Sequence, residues 1–554
     1  MILPVFEASW YECRSGRDID LMNVRRGYVV AIIAIGIALF FLNLGARDLW
    51  EPDETRYAVV AREMKETGNW VLPHLNGEVY AEKPPLFFWL VNFSTSLLGI
   101  NNEFTNRLPS ALGGFVTFLL VFFFGKRLFD TKAGFLSSLV LGTCLLFPQL
   151  SRWMMLDSLF TLFFLLSLFC FYLGYEKGES RRKYYYLAGL FMGLGVLTKG
   201  PIGYLPIPIF LLFAFFQKEI RRFWNRNLLG GCLLSVILVL IWWLPAAWTG
   251  GKDYIYWLLF KQAVGTYMEG GTHFHPEPFY FYFLRFPLEF FPWIVFLPTA
   301  FIFGLRKEFG KRKEFLFVSI WFIFIFLFFT LSRGKKDNYL FPLYPAAALM
   351  VGGLWDLGLS PKNRSKGFLP GFLLLIFLLL VGLILFLSGI PQRFYPELMG
   401  YRSQALFILS YLLAGGFLSL LFFVSEKRWA AFISLMAAFA LLQVQIYYLL
   451  PPRLNAQRSA RAFSTKILEK MESGDELKTY RLKCNGLLYY TKMPYIESIQ
   501  TKDRFLELFN SGKRVFVVVY PEAVDRLRRE TGMELVPIGQ GKVGHWDYVV
   551  VSNH

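Results

Sequence analysis

Most residues able to do ionic or acid–base chemistry gather in one stretch, LWEPDETRYAVVAREMKETGNWVLPHLNGEVYAEKPPLFFW, residues 49–89. It carries Glu51, Asp53, Glu54, Arg56, Glu82 and Lys83 between strongly apolar neighbours. A carboxylate placed there can act as a base, a metal ligand or a charge partner. The plain alternative is a solvated loop of mixed charge. A second group lies at the ends of apolar runs: Arg152 and Asp157 in SRWMMLDS, Lys199 in LTKGPIGYLP, and Arg333, Lys335 and Lys336 in LSRGKKDNYLFPLYP. Charge at a membrane boundary is costly and marks a candidate site. Several cations converging on one cavity would bind an anion, most simply a phosphate. The alternative is snorkelling to lipid headgroups. Residues 272–282, THFHPEPFYFY, hold two of the five histidines, and His and Glu are suitable ligands for a divalent ion.

The elements that must position these groups are apolar. The chain has 554 residues, is 55% hydrophobic and 18% charged, and contains 61 phenylalanines. Its mean hydropathy is +0.43. These values exclude a disordered or collagen-like chain and an ordinary soluble enzyme, and indicate a polytopic membrane protein. The net charge of +18 raises nucleic acid as a partner. The basic residues fall instead in short clusters between apolar runs, so no nucleic acid is expected. Five cysteines without a CxxC pair give no disulfide or zinc-thiolate framework.

Thirteen spans are expected, at 28–44, 108–125, 133–150, 157–174, 184–198, 201–217, 228–248, 290–305, 315–331, 340–357, 368–388, 404–424 and 430–449. Alternation through them puts Arg25-Arg26, Lys126-Arg127, Arg181-Arg182-Lys183, Arg221-Arg222, Lys311-Arg312-Lys313 and Lys427-Arg428 on one side, the cytoplasm. The opposite side receives outer loops 45–107 and 249–289 and the C-terminal tail. Residues 84–100 would reverse every later cluster if they crossed. They are expected to lie on the outer face, where Asn92, Ser94, Thr95 and Ser96 suit an interfacial helix. From about residue 451 the charge becomes mixed. RVFVVVYP, LKTYRL, LLYYT and HWDYVVVS read as strands, and 458–472, 502–511 and 521–531 as amphipathic helices. The expected architecture is an all-α transmembrane domain, 1–450, followed by a small α/β domain, 451–554, facing the periplasm.

WEPDETRYAVVAREM, GNWVLPHLNG, YAEKPPLFFW, RLPSALGG, RWMMLDSLFTLF, LGVLTKGPIG, HPEPFYFY and KKDNYLFPLYP occur in this order over most of residues 45–350. Together they resemble the bacterial aminoarabinose lipid A transferases. These are integral-membrane C-type (GT-C) glycosyltransferases related to protein O-mannosyltransferases. The resemblance implies Asp53 as the catalytic aspartate and Asp157 as a second acidic position. It implies Lys83, Arg56, Lys199 and Tyr339 as contacts to the lipid phosphate. Glu82 and His275 would hold a divalent metal, zinc being the ion that suits a histidine ligand. No arginine follows directly after Phe279-Tyr280-Phe281-Tyr282, so Arg285 is the substitute for one that relatives use there.

The implied reaction transfers a sugar, 4-amino-4-deoxy-L-arabinose or a related one, from polyprenyl (undecaprenyl) phosphate to lipid A at the periplasmic face of the inner membrane. Inversion is expected, with the phosphate as leaving group. Asp53 would deprotonate a hydroxyl acceptor or orient the site; an ionised phosphate acceptor needs no base. A protein O-mannosyltransferase or galacturonic acid transferase of the same architecture is the nearest alternative. A lipid or sugar transporter, the alternative of another class, would place polar residues at mid-membrane and show repeats.

Overall fold

The computed structural model describes residues 16–176, 182–256, 276–306, 311–359, 367–394, 400–448, 451–544 and 546–553. Eight helices among them are long and apolar enough to cross a membrane: Glu103–Leu128, Asp157–Glu176, Arg226–Tyr254, Arg312–Leu331, Asp337–Leu359, Phe368–Ser388, Arg402–Val424 and Arg428–Tyr448. A ninth is reached if Phe281–Glu289 and Trp293–Gly304, bent by 107°, form one broken span. The protein is a multi-pass membrane protein.

The expected thirteen spans are not reproduced by this criterion, although helix occurs at each position. The reason is local breakage and shortness. Segment 133–150 divides into Thr131–Thr143 and Leu146–Ser151. Segment 201–217 opens as a 3-10 turn, Pro201–Tyr204, before Pro206–Phe216, because each proline lacks an amide donor. The apolar part of the first helix, Arg26–Phe41, is 16 residues long. At 1.5 Å per residue it covers about 24 Å, short of a ~30 Å hydrocarbon core.

Residues 84–100 do not supply a span: their helix, Leu86–Leu97, has 12 residues. Asn92, Ser94 and Thr95 point into the protein, while Ser96 and the apolar Phe93, Leu97 and Leu98 are exposed. Asn92 donates to the Ala61 carbonyl at 2.8 Å and Ser94 to the Thr105 carbonyl at 2.7 Å. The helix thereby pins the outer loop to the start of the Glu103–Leu128 span.

The C-terminal region forms a five-stranded mixed sheet. With β1 (His74–Leu75) and β2 (Glu78–Val79) forming a hairpin in the first outer loop, the sheet contains β3 (Glu476–Tyr480), β4 (Ser498–Ile499), β5 (Val515–Val519), β6 (Val536–Val543) and β7 (Trp546–Ser552). Its order is β4-β3-β5-β7-β6, parallel through the first three and antiparallel at β7. Every residue of β5 is buried. Phe516 and Val518 pack on one face of the sheet, and Val515, Val517 and Val519 on the other, as strand alternation requires.

LLYYT, expected as a strand, is instead the helix Asn485–Thr491. Its aromatic and β-branched residues favour strand, but tertiary contacts override that preference. Leu487, Leu488 and Thr491 form a buried helical face. Arg62 of the first outer loop donates to the carbonyls of Leu488 at 3.2 Å and Met493 at 2.9 Å, satisfying groups at the helix end.

Candidate active site

The helix Asp53–Thr67 opens the first outer loop with two acids in its first turn, where the helix dipole favours negative charge. The two acids have separate environments. Glu54 is buried at 1% exposure. It accepts from Arg107 at 2.8 and 3.1 Å, from Arg47 at 2.8 Å, and from the backbone amides of Trp50 at 3.0 Å and Met154 at 2.9 Å. Burial opposes the charge, but Arg107 and then Arg47 outweigh it and hold the carboxyl down at about 2. Glu54 is therefore a permanent anion tying the loop to the Glu103–Leu128 span and to residues 152–156. The adjacent Asp53 has no such network; it pairs with Arg56 and keeps 23% of its side chain exposed.

Arg56 links Asp53 to Glu82, which lies 3.3 Å away, and stacks 5.3 Å from the centre of the Tyr57 ring. The Tyr80 hydroxyl donates to Glu82 at 3.2 Å. Lys83 follows Glu82 in the chain. Burial pushes its ammonium down to about 8; Glu82 opposes the shift, while Lys199, Arg56 and Lys336 add to it. Cations from four separate segments thus bear on one point. Three carboxylates, Asp53, Glu82 and Asp157, pair with Arg56 and Lys199 of this group, so the four cations exceed the nearby acids by one and suit an additional anion.

Asp157 begins its span at 1% exposure with both oxygens engaged. Lys199 pairs with one, and Asn338 donates to the other at 2.9 Å. The Tyr339 ring centre is 5.1 Å from the Lys199 ammonium. Asp157 consequently lacks an open oxygen facing a substrate, and holds Lys199 and the 337–343 turn together. Asn338 was not singled out from sequence, since a neutral amide in a charged loop carries no cost signal. Arg107 and Arg47 were also missed, although a charge at the start of a span is such a signal.

Asp53, Gln149, Trp153, Arg285, Lys336 and Asn338 line a cleft of about 410 Å³. Arg285 is 3.6 Å from Asp337, half exposed, and among the residues lining the cleft. Two other boundary cations have structural partners. Arg152 donates to the carbonyls of Leu39 at 3.0 Å and Leu42 at 2.5 Å, closing the end of the first helix. Lys335 is buried and donates to the Glu277 carbonyl at 3.0 Å and to the Ser332 carbonyl. Arg333 is exposed. His275 lies outside the described residues. Among the described residues no group of three or more His, Cys, Asp or Glu can hold a metal. Glu82 keeps 40% of its side chain exposed but shares its oxygen with Arg56, so these residues alone do not make a metal shell.

Residues 82–246 match the family of dolichyl-phosphate-mannose-protein mannosyltransferases. An undecaprenyl phosphate-alpha-4-amino-4-deoxy-L-arabinose arabinosyl transferase of Aeromonas hydrophila is 32% identical over 361 residues, 63% of this chain and 64% of that protein. Its namesake from Pectobacterium atrosepticum is 32% identical over 356 residues, 63% of this chain and 62% of that protein. The chain thus spans a little under two thirds of the length of these curated relatives. In structure it is similar to ArnT from Cupriavidus metallidurans bound to undecaprenyl phosphate, with a TM-score of 0.79 at 20% identity over 95% of this chain and 98% of that one. The chain has the fold of that structure, and its sequence resembles the undecaprenyl phosphate-aminoarabinose arabinosyltransferases.

Proposed function

We propose that the protein is an integral-membrane glycosyltransferase that moves 4-amino-4-deoxy-L-arabinose from undecaprenyl phosphate to lipid A. The observation that carries this is the convergence of Lys83, Lys199, Arg56 and Lys336 beside Asp53 at one end of the bundle. The names of the relatives support the donor and the sugar.

In the proposed reaction an acceptor oxygen forms a bond to the anomeric carbon as the bond from that carbon to the phosphate oxygen breaks. The electron pair leaves with the polyprenyl phosphate. Lys83, Lys199 and Arg56 neutralise that leaving group, so it departs without a strong acid. Attack opposite the leaving group inverts the centre. Asp53 takes the proton of a hydroxyl acceptor; for an ionised phosphate acceptor it orients the sugar instead. Asp157 acts through Lys199, which it holds in place. The test is mass spectrometry of lipid A from cells with and without the protein: an added aminoarabinose is expected only with it, and unchanged lipid A refutes the reading. Transfer to a protein hydroxyl is the second reading, favoured by the family match over 82–246. Sugar on protein and none on lipid A would establish it.

The orientation proposed is N-terminus in the cytoplasm and residues 451–554 in the periplasm, supported by the alternation of basic clusters. A periplasm-dependent reporter fused after His554 should be active, and cytoplasmic activity refutes this orientation. A zinc ion between Glu82 and His275 also belongs to the proposal, supported by ligand type and by the exposure of Glu82. Elemental analysis should find zinc that falls in His275→Ala; a metal-free active protein removes it.

A further inference from the structure

A second pocket, of about 170 Å³, lies at the ends of the first helix and of Arg428–Tyr448, lined in part by Asn43, Arg47, Gln149, Arg152, Trp153 and Leu454. It differs from the cleft beside Asp53, but Gln149 and Trp153 line both. One layer of side chains therefore separates them. Lys83 and Lys199 line neither pocket.

The pocket is cationic and aromatic. The Arg47 guanidinium lies 4.2 Å from the Trp50 ring centre and 4.9 Å from that of Trp153. Arg152 lies 3.8 Å over Tyr447, and the exposed Arg458 lies 5.4 Å over Trp50. Among the described residues Arg152 and Arg458 have no carboxylate partner. Arg47 has Glu54, whose single charge it shares with Arg107. The nearby Asp48 and Glu103 are engaged with Arg461. Five arginines, Arg47, Arg107, Arg152, Arg458 and Arg461, thus meet three carboxylates, Glu54, Asp48 and Glu103, and Arg47 and Arg152 line the pocket itself. The carbonyl contacts of Arg152 and the Glu54 contacts of Arg47 use only part of the five donors on each guanidinium. Rings hold the planes, leaving N–H edges for an anion.

We propose that this pocket binds a phosphate monoester of the acceptor lipid, one layer of side chains away from the cleft that Asp53 lines. The inference rests on the glycosyltransferase reading. It places donor and acceptor anions in separate cationic sites, so that like charges do not meet across the cleft.

The test is native mass spectrometry of the full chain in detergent, titrated with bisphosphorylated lipid A, with the same lipid after phosphatase treatment, and with phosphatidylglycerol. The expected result is at least tenfold tighter binding of the bisphosphorylated lipid than of either other. Arg458→Glu, which reverses an exposed charge, and Leu454→Trp, which fills the pocket, should each erase that preference and raise the acceptor KM. Equal binding of all three lipids, or a preference retained in both variants, overturns the proposal; phosphatidylglycerol binding as tightly as lipid A assigns the pocket to bulk lipid headgroups and overturns it too. A phosphate-dependent preference lost in both variants, without any sugar transfer by the wild type, upholds the site and refutes the transferase reading instead.

Discussion

The affinity for lipid phosphate should depend on pH through Lys83. Its ammonium lies at about 8 rather than the ordinary 10.5, chiefly through burial, with Lys199, Arg56 and Lys336 adding to the shift. A phosphate bound beside the ammonium favours its charged form and raises that value, and a full return to the ordinary 10.5 sets the upper limit of the effect. The difference of about 2.5 pH units corresponds to about 3 kcal/mol of coupling. The sign follows from the depressed value. The lipid-free protein loses the Lys83 proton as pH rises through about 8, whereas a phosphate beside the ammonium holds that proton to higher pH, at the limit to the ordinary value. Affinity is full below pH 8 and falls above it, by roughly twentyfold from pH 7.5 to 9.5. The phosphate itself contributes little, since its second ionisation lies near pH ~6. Isothermal titration calorimetry with undecaprenyl phosphate, in buffers of different ionisation enthalpy, should show uptake of about 0.7 proton at pH 8.5. Lys83→Arg, which stays charged, should bind without that pH dependence. Affinity constant within about twofold over this range, with no proton uptake, would refute the cationic-cluster reasoning.

Three further outcomes concern the acids of the first loop. Asp53→Asn should bind the donor lipid normally yet transfer sugar slower by a factor on the order of 10², measured by single-turnover kinetics; near-normal turnover removes Asp53 from the chemistry. Glu54→Gln removes the charge facing Arg47 and Arg107, and breaking a buried ion pair costs about 3–5 kcal/mol. Thermal-shift measurement in detergent should show a large loss of stability, and an unchanged Tm contradicts the structural role. Glu51 accepts from the Gly486 amide, and burial outweighs that bond and pushes its carboxyl up from 4.5 to about 7. The raised value means that stability present below pH ~4.5 is lost as pH rises through about 7, a cost of about 3 kcal/mol at higher pH. Glu51→Gln should flatten the Tm difference between pH ~5 and ~8; an unaltered difference assigns that titration elsewhere.

The site was legible in the sequence where a residue carried a visible cost. Lys83 and Lys199 stood out because charge next to a membrane is expensive unless used, and the structure brings them within electrostatic reach of Arg56 and Lys336. The division of labour between Asp53 and Glu54 was not legible. It depends on Arg107, 53 positions from Glu54, and periodicity says nothing about which of two adjacent acids turns inward. The pairing of Asp157 with Asn338 was likewise not legible, because the two lie 181 positions apart. Hydropathy located the helices but not their breaks, which arise at residues such as Pro201 and Pro206. The helix at LLYYT was hidden because its capping partner, Arg62, belongs to the other end of the chain.

The most direct measurement is sugar transfer by the purified protein in liposomes supplied with undecaprenyl phosphate-aminoarabinose and lipid A, followed by mass spectrometry of the lipid. The wild type should add aminoarabinose to lipid A, and Lys83→Ala and Lys199→Ala should each lose most of that activity while still inserting in the membrane. Near-normal turnover in both variants, or no transfer by the wild type, contradicts a phosphate-binding transferase site at this end of the bundle.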